Sequence, residues 1–390
     1  MSNQQSKCGR LHGLAPGHLN ISVGPDFQGA EFELDGCRIR GDVELHRAVC
    51  DWYRHGHHLD WRYDSVVLHL VAEKPQADDD QVKTSKGLCI PTFVMDFLPD
   101  QQIFTDREKH CQSTIELIDF YQQRLKQLAG FRLQEKIKNF HRLTLGEGMD
   151  QALYRMIMRI IGMPQNSDNF EYLAHILPWS VIQIVKKRYH LDREGWYNLF
   201  LTISGLQQSP KNLPRLSGLT DQQPMMAKVW HRSGFRPAAS PVRRLQGLAD
   251  FIAAFPATNL LEYSWSLAAR RHSYESLHED FYRLFHPREH IPGWGAGLIT
   301  EVTGNAVIPA LYHQAELTSS EGFRNYLDNY YYWLPLSSWY GCLKAYRQWP
   351  QVRALPAKYY IVQGFLWLQR NYCRNGICHD CPLGHSIETV

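Results

Sequence analysis

At 390 residues the chain is long enough for one large domain or two to three smaller ones, and its 44% hydrophobic content fits a folded protein with a sizeable core. A net charge of +3 excludes a globally basic nucleic-acid coat, so affinity for nucleic acid has to come from local patches. The most apolar runs, such as "YYIVQGFLWL", are too short to span a bilayer, and Met1–Gly13 lacks the apolar core of a signal peptide. No membrane partner and a cytoplasmic location are expected.

The first hundred residues carry the strand signals. "GAEFELDGCRIR" alternates apolar and polar residues around Asp35-Gly36, a strong hairpin cue. A two-residue turn pairs Glu33 with Arg38 and Glu31 with Arg40, surface charge pairs worth roughly 0.2–1 kcal/mol each. On the second strand Arg38, Arg40, Asp42, Glu44 and His46 share one face. A strict register leaves Asp26 on the face opposite Glu44, so bringing the two acids together demands one extra residue, which Gly29 or Gly41 can host as a bulge. "DSVVLHLVAE" is a second β run long enough for a core strand, and Lys74 to Gly87 reads as an exposed loop.

From about Thr105 the pattern turns helical. "STIELIDFYQQRLKQL" opens on a capping box, Ser113 and Glu116, and sets Leu117, Tyr121, Leu125 and Leu128 on one face. "DQALYRMIMRIIGMP" runs helically and stops at Gly162 and Pro164. "NFEYLAHILPWSVIQIVKKRYH", "PVRRLQGLADFIAAF" and "ALPAKYYIVQGFLWLQRNYC" are further amphipathic segments. The fold class expected is α+β: a small mixed-sheet domain over residues 1–104, a large all-helical region over 105–372 and a Cys-rich tail over 373–390.

Asp26 and Glu44, if brought together, are hard oxygen ligands suited to Mg²⁺ or Mn²⁺, and a metal there stabilises charge developing on a phosphate. His46 is expected to orient or deprotonate the attacking water. His55, His57 and Asp60 in "DWYRHGHHLDWRYD" can line the same site, whereas His58 is expected to be structural and Trp52, Trp61 and Tyr63 to pack under the sheet. His69, inside a hydrophobic strand, is expected as a core or site-facing imidazole. At the far end Cys373-x4-Cys378-x2-Cys381 offers soft thiolates for Zn²⁺ or a [4Fe-4S] cluster, with His385, Cys111 or Cys8 as fourth ligand. The remaining cysteines are scattered, which argues against a disulfide framework.

Pro25-Asp26, the hairpin and Glu44-x-His46 resemble the PD-(D/E)xK nuclease-like core, in which the Asp and Glu bind metal and a Lys follows two positions on. The resemblance implies phosphodiester hydrolysis with Asp26, Glu44 and His46 as the catalytic set. It implies nucleic acid as partner. This chain departs from the pattern twice: His46 stands where the Lys is expected, and no acidic residue precedes Asp26. A catalytically inactive, nuclease-derived module binding nucleic acid or protein is the alternative. A small-molecule enzyme using the His cluster with a transition metal is a third reading. "GPDFQGAEF", "WHRSGFRPAASPVRRL" and "QGFLWLQRNYCRNGICHDCPLG", among other stretches, resemble a bacterial domain-of-unknown-function family over nearly the whole chain. That resemblance includes Arg236 and Arg243, which with Arg244 are the expected phosphate contacts; Lys186, Lys187, Arg188, Arg270 and Arg271 read as solvated faces.

Overall fold

The computed structural model describes residues 4–6, 9–19, 24–73, 81–95, 118–207, 224–232, 236–287, 294–336, 338–374 and 380–383. The chain divides into two compact units, Met1–Ile103 and Phe104–Val390.

The first unit is a mixed eight-stranded sheet built from β1 (Gln4–Ser6), β2 (Gly9–Ala15), β3 (His18–Leu19), β4 (Phe27–Leu34), β5 (Cys37–His46), β6 (Val66–Val71), β7 (Gln81–Lys83) and β8 (Cys89–Val94). Its order is β1-β2-β4-β5-β6-β8-β7, with β3 also pairing β4. β4 and β5 form the expected hairpin, and Asp35 and Gly36 both take positive φ (51° and 82°), the backbone a tight two-residue turn requires. Glu33 pairs with Arg38 and Glu31 with Arg40 across it. β5 and β6 run parallel, which needs a crossover; α1 (Cys50–Arg54) and two one-turn 3₁₀ helices, His57–Leu59 and Trp61–Tyr63, supply it. Trp52 and Tyr63 pack with Val49, Val66, Val71, Val82 and Ile90 into one apolar cluster, while Ala30, Phe32, Val43, Leu68 and Phe93 form another. Trp61, expected beneath the sheet, is instead 52% exposed.

The stretch read as a loop from Lys74 to Gly87 contains β7. Val82 is fully buried and pairs with Ile90, and the Thr84–Leu88 turn closes the hairpin through Thr84 N–H to Leu88 O at 2.9 Å. One apolar residue among charged neighbours makes no periodicity, so the strand exists because β8 offers it a partner.

Among the described residues the second unit is mostly helical: α2 (Ile118–Glu147), α3 (Met149–Ile161), α4 (Ser167–Ile176), α5 (Trp179–Tyr189), α6 (Arg193–Ile203), α7 (Pro241–Ala254), α8 (Leu260–Ala269), α9 (Tyr274–Phe285), α10 (Ala296–Val302), α11 (Ile308–Leu317), α12 (Glu321–Trp333), α13 (Lys344–Arg347), α14 (Pro350–Arg353) and α15 (Tyr359–Leu368). Wider π turns, Thr303–Val307 and Gln369–Cys373, join α10 to α11 and extend α15. α2 buries Tyr121, Leu125 and Leu128 as its pattern demands; Ser113, Glu116 and Leu117 lie outside the described residues. The segment from Asn169 to His190 is two helices, because Pro178 lacks the N–H that would continue α4. The large aromatic content goes into one helical core, where Trp196, Trp294, Tyr154, Tyr330 and Phe170 are fully buried. No helix among the described residues is long and apolar enough to cross a membrane.

Candidate metal centre

Between Phe27 and Ala30 strand β4 takes three steps where β5 takes two, from Val43 to Gly41. The extra residue is the bulge that convergence of the two acids demanded. Gly29 carries it at φ +66°, a conformation that costs an L side chain roughly 1–2 kcal/mol. The Gly29 N–H freed from the ladder donates to Asp42 Oδ1 at 3.0 Å. Beyond the bulge Phe27 faces Val43, so Asp26 falls opposite Glu44. The two residues clasp each other: the Asp26 N–H donates to Glu44 Oε2 at 3.0 Å, and the Leu45 N–H donates to Asp26 Oδ2 at 2.9 Å.

Three imidazoles stand beside these acids. His46 lies on the Glu44 face of β5, and His55 and His57 flank the left-handed Gly56 at the end of α1, which turns both rings back toward the sheet. One ring nitrogen from each of the three lies within 4.8 Å of the others. His46 Nε2 is 3.0 Å from His55 Nδ1 and 3.6 Å from Glu44 Oε1, and His57 Nε2 is 3.3 Å from the same carboxylate oxygen. Tyr63 stacks on His57 with ring centroids 3.7 Å apart. Asp60 does not join them; it caps the second 3₁₀ turn and pairs with Arg62. His58 packs against Tyr53.

Behind His46 runs a buried hydrogen-bond chain. His46 Nδ1 is 2.9 Å from His69 Nε2, and His69 Nδ1 is 3.0 Å from Thr92 Oγ1 on β8. A neutral imidazole has one donor and one acceptor. With the proton on His46 Nδ1 and another on His69 Nδ1, the chain is satisfied to Thr92 and His46 Nε2 keeps a lone pair aimed into the site. This is how a metal-ligating histidine is held by its neighbour. Thr92 carries no motif, so this support is invisible in the sequence.

Burial dominates the electrostatics of the cluster. Burial, then the Asp26 charge, pushes Glu44 up to about 8 despite the Asp26 N–H bond, and burial raises Asp26 as well. Burial first, then neighbouring imidazoles, pushes His46 and His57 down to about 4 and His69 to about 3. The rings are therefore neutral at physiological pH, the form that ligates a metal, and Glu44 keeps its proton there. His57 Nε2 is buried without a hydrogen-bond partner, close to Glu44 Oε1 but not in hydrogen-bond geometry.

Three expected residues have surroundings the sequence did not show. Both His46 nitrogens lie within hydrogen-bond distance of other rings, 2.9 Å from His69 and 3.0 Å from His55. Arg236 and Arg243 are exposed, whereas Arg244 is half-buried with its Nε enclosed, and burial lowers its guanidinium to about 10. Lys186, read as a solvated cation, is bound to the Phe255 carbonyl at the end of α7. Of the tail ligands, Cys373 is half-buried and Cys381 buried, while Cys378, Cys111, Cys8 and His385 lie outside the described residues.

Neither the curated proteins nor the solved structures yield a match to this chain. A family model described as a protein of unknown function (DUF2851) matches residues 4–331, which takes in the whole sheet and all of the candidate metal centre. On that match the chain belongs to the DUF2851 family.

Proposed function

We propose that the N-terminal unit is a divalent-metal-dependent, nuclease-like core of the PD-(D/E)xK kind that acts on nucleic-acid phosphodiesters. The observation that carries this reading is the Gly29 bulge, which sets Asp26 against Glu44 at the bond distances given above. Asp26 and Glu44 would supply oxygen and His46, His55 and His57 nitrogen. That mixed donor set suits Mn²⁺ or a similar transition cation better than Mg²⁺, which prefers oxygen. Such an ion would neutralise charge developing on a phosphate and acidify a water. The residues' own part is to keep imidazoles neutral, hold the carboxylates together and keep one side open through His55, which is exposed. The exposed Arg236 and Arg243 remain candidate phosphate contacts in the helical unit.

One observation favours the binding-only alternative. Position 46 carries an imidazole and no permanent cation, and both its nitrogens lie within hydrogen-bond distance of other rings, so that position presents no fixed positive charge to a scissile phosphate. Cleavage of plasmid and single-stranded DNA in Mn²⁺ separates the two. The hydrolytic reading expects cleavage that Asp26→Asn and Glu44→Gln each abolish while the far-UV circular dichroism is unchanged. Salt-sensitive DNA binding by the wild type with no cleavage in Mn²⁺ would overturn hydrolysis in favour of a binding module.

A further inference from the structure

The helical unit buries a second polar cluster, built from residues far apart in the chain. Arg132 and Lys136, four apart on α2, present their charges on the same face. Both donate to one neutral acceptor: Arg132 Nε and Lys136 Nζ lie 2.8 and 3.1 Å from Oε1 of Gln363, a fully buried residue of α15. Gln363 Nε2 in turn donates to Tyr340 OH at 2.8 Å, and Tyr340 OH donates to Glu301 Oε1. The other Glu301 oxygen accepts from Asn305 Nδ2 at 2.7 Å and from Tyr359 OH at 3.3 Å.

The fold makes room for this network. Glu301 ends α10 and Asn305 sits in the π turn that follows, a distortion that often marks functional positions. A Cβ at Gly304 would collide with the Tyr359 ring, so glycine there lets Tyr359 reach Glu301.

The charge balance does not close. Neither Arg132 nor Lys136 has a carboxylate at ion-pair distance among the described residues. Glu135, next in the chain, is paired with Arg370 at 3.2 Å, which leaves one carboxylate, Glu301, whose three donors are neutral, against the two cations. Two cations therefore share one amide oxygen. Such an arrangement in a desolvated setting is costly unless an anion completes it. The Arg132, Lys136 and Glu301 side chains all keep some accessible surface. Burial holds the Lys136 ammonium well below and the Glu301 carboxyl above their ordinary values, the direction an incomplete charge set produces.

We propose that this cluster is an anion site for a phosphate-type head group, that of a phosphomonoester, held between Arg132 and Lys136. The guanidinium fork suits two oxygens of one phosphate and the ammonium supplies a point charge, while Gln363 keeps the two cations in register.

The test uses the full chain at constant ionic strength, with inorganic phosphate as the probe and acetate and chloride as comparisons. Phosphate is expected to raise Tm saturably, acetate and chloride are not, and Arg132→Gln and Lys136→Gln should each weaken the phosphate response at least about tenfold. Gln363→Glu is nearly isosteric and supplies the missing negative charge internally. It should raise Tm without phosphate and abolish the phosphate response, which keeps the test decisive if an α2 variant fails to fold. A wild-type response to phosphate no larger than that to chloride overturns the site. So does a response that persists in all three variants. Acetate acting as strongly as phosphate overturns the phosphomonoester assignment.

Discussion

In the sheet unit Asp26, Glu44, His46, His55 and His57 gather carboxylates and ring lone pairs around one spot; in the helical unit Arg132 and Lys136 gather two cations on one amide oxygen. The first set gathers donors of the kind that hold a metal, and the second sets two cations against one carboxylate, Glu301. A third group shows what a closed balance looks like in this protein. Arg155 bridges Glu147 and Glu171 at 2.7 and 2.6 Å, and Arg159 bridges Asp168 and Glu171, so each guanidinium meets two carboxylates. In that cluster the charges that tie helices together are neutralised. The two clusters that remain open are the places to look for ligands.

The two clusters also differ in how they are assembled. The metal-centre residues span Asp26 to His57 and are delivered by one hairpin and the turn after it, whereas the anion cluster joins residues up to 231 apart. Substitutions in one should therefore leave the other intact, and that independence can be tested. The largest effect is expected from His69→Gln, which removes the ring behind His46. Mn²⁺ affinity by calorimetry should fall about 10- to 100-fold, with the phosphate response unchanged. An unaltered affinity would show that His46 does not ligate. A smaller effect is expected from Gly29→Ala, which places an L side chain at φ +66°. It should cost roughly 1–2 kcal/mol in urea unfolding and weaken Mn²⁺ binding, because relaxing the bulge turns Asp26 away from Glu44. Full stability with full affinity would mean that the bulge does not set the site.

The smallest effect lies in the pH dependence of the chelator-treated protein. Glu44 is held at about 8, so the folded chain keeps a proton that the unfolded chain releases near about 4.3. The stability this contributes is present below that pH and is lost as pH rises through about 8. His46 and His57, held at about 4, and His69, at about 3, act oppositely. Their neutral folded forms are matched in the unfolded chain only above about 6.5, so stability is lost as pH falls below it. Tm should peak near about pH 6.5, and Glu44→Gln should remove the alkaline decline. A wild-type decline equal to that of the variant would mean that Glu44 is not the group responsible.

Much of the sheet unit was legible before any coordinates. Asp35-Gly36 specified the hairpin, alternation put Glu44 and His46 on one face, and the conflict over Asp26 named Gly29 as a possible bulge; the observed register resolves that conflict at Gly29. β7 was not legible, because Val82 alone carries its burial. Nor was the break at Pro178 drawn, although proline's missing N–H was there to read. The roles divided less cleanly. His46 read as a base beside a metal; its place between His69 and His55 was not legible. Arg132, Lys136, Glu301 and Gln363 gave no signal, since each by itself is an ordinary polar residue on a helix.

The sequence alone determined which residues share a strand face, where the hairpin turns, which helices form and which side chains carry metal-binding chemistry, because backbone sterics and hydrophobic periodicity act over a few neighbouring residues. Tertiary structure decided that Asp26 meets Glu44, that Thr92 and His69 stand behind His46, and that two cations of α2 meet one glutamine of α15. Those meetings depend on how whole strands and helices pack, and close packing brings together groups that no local rule relates.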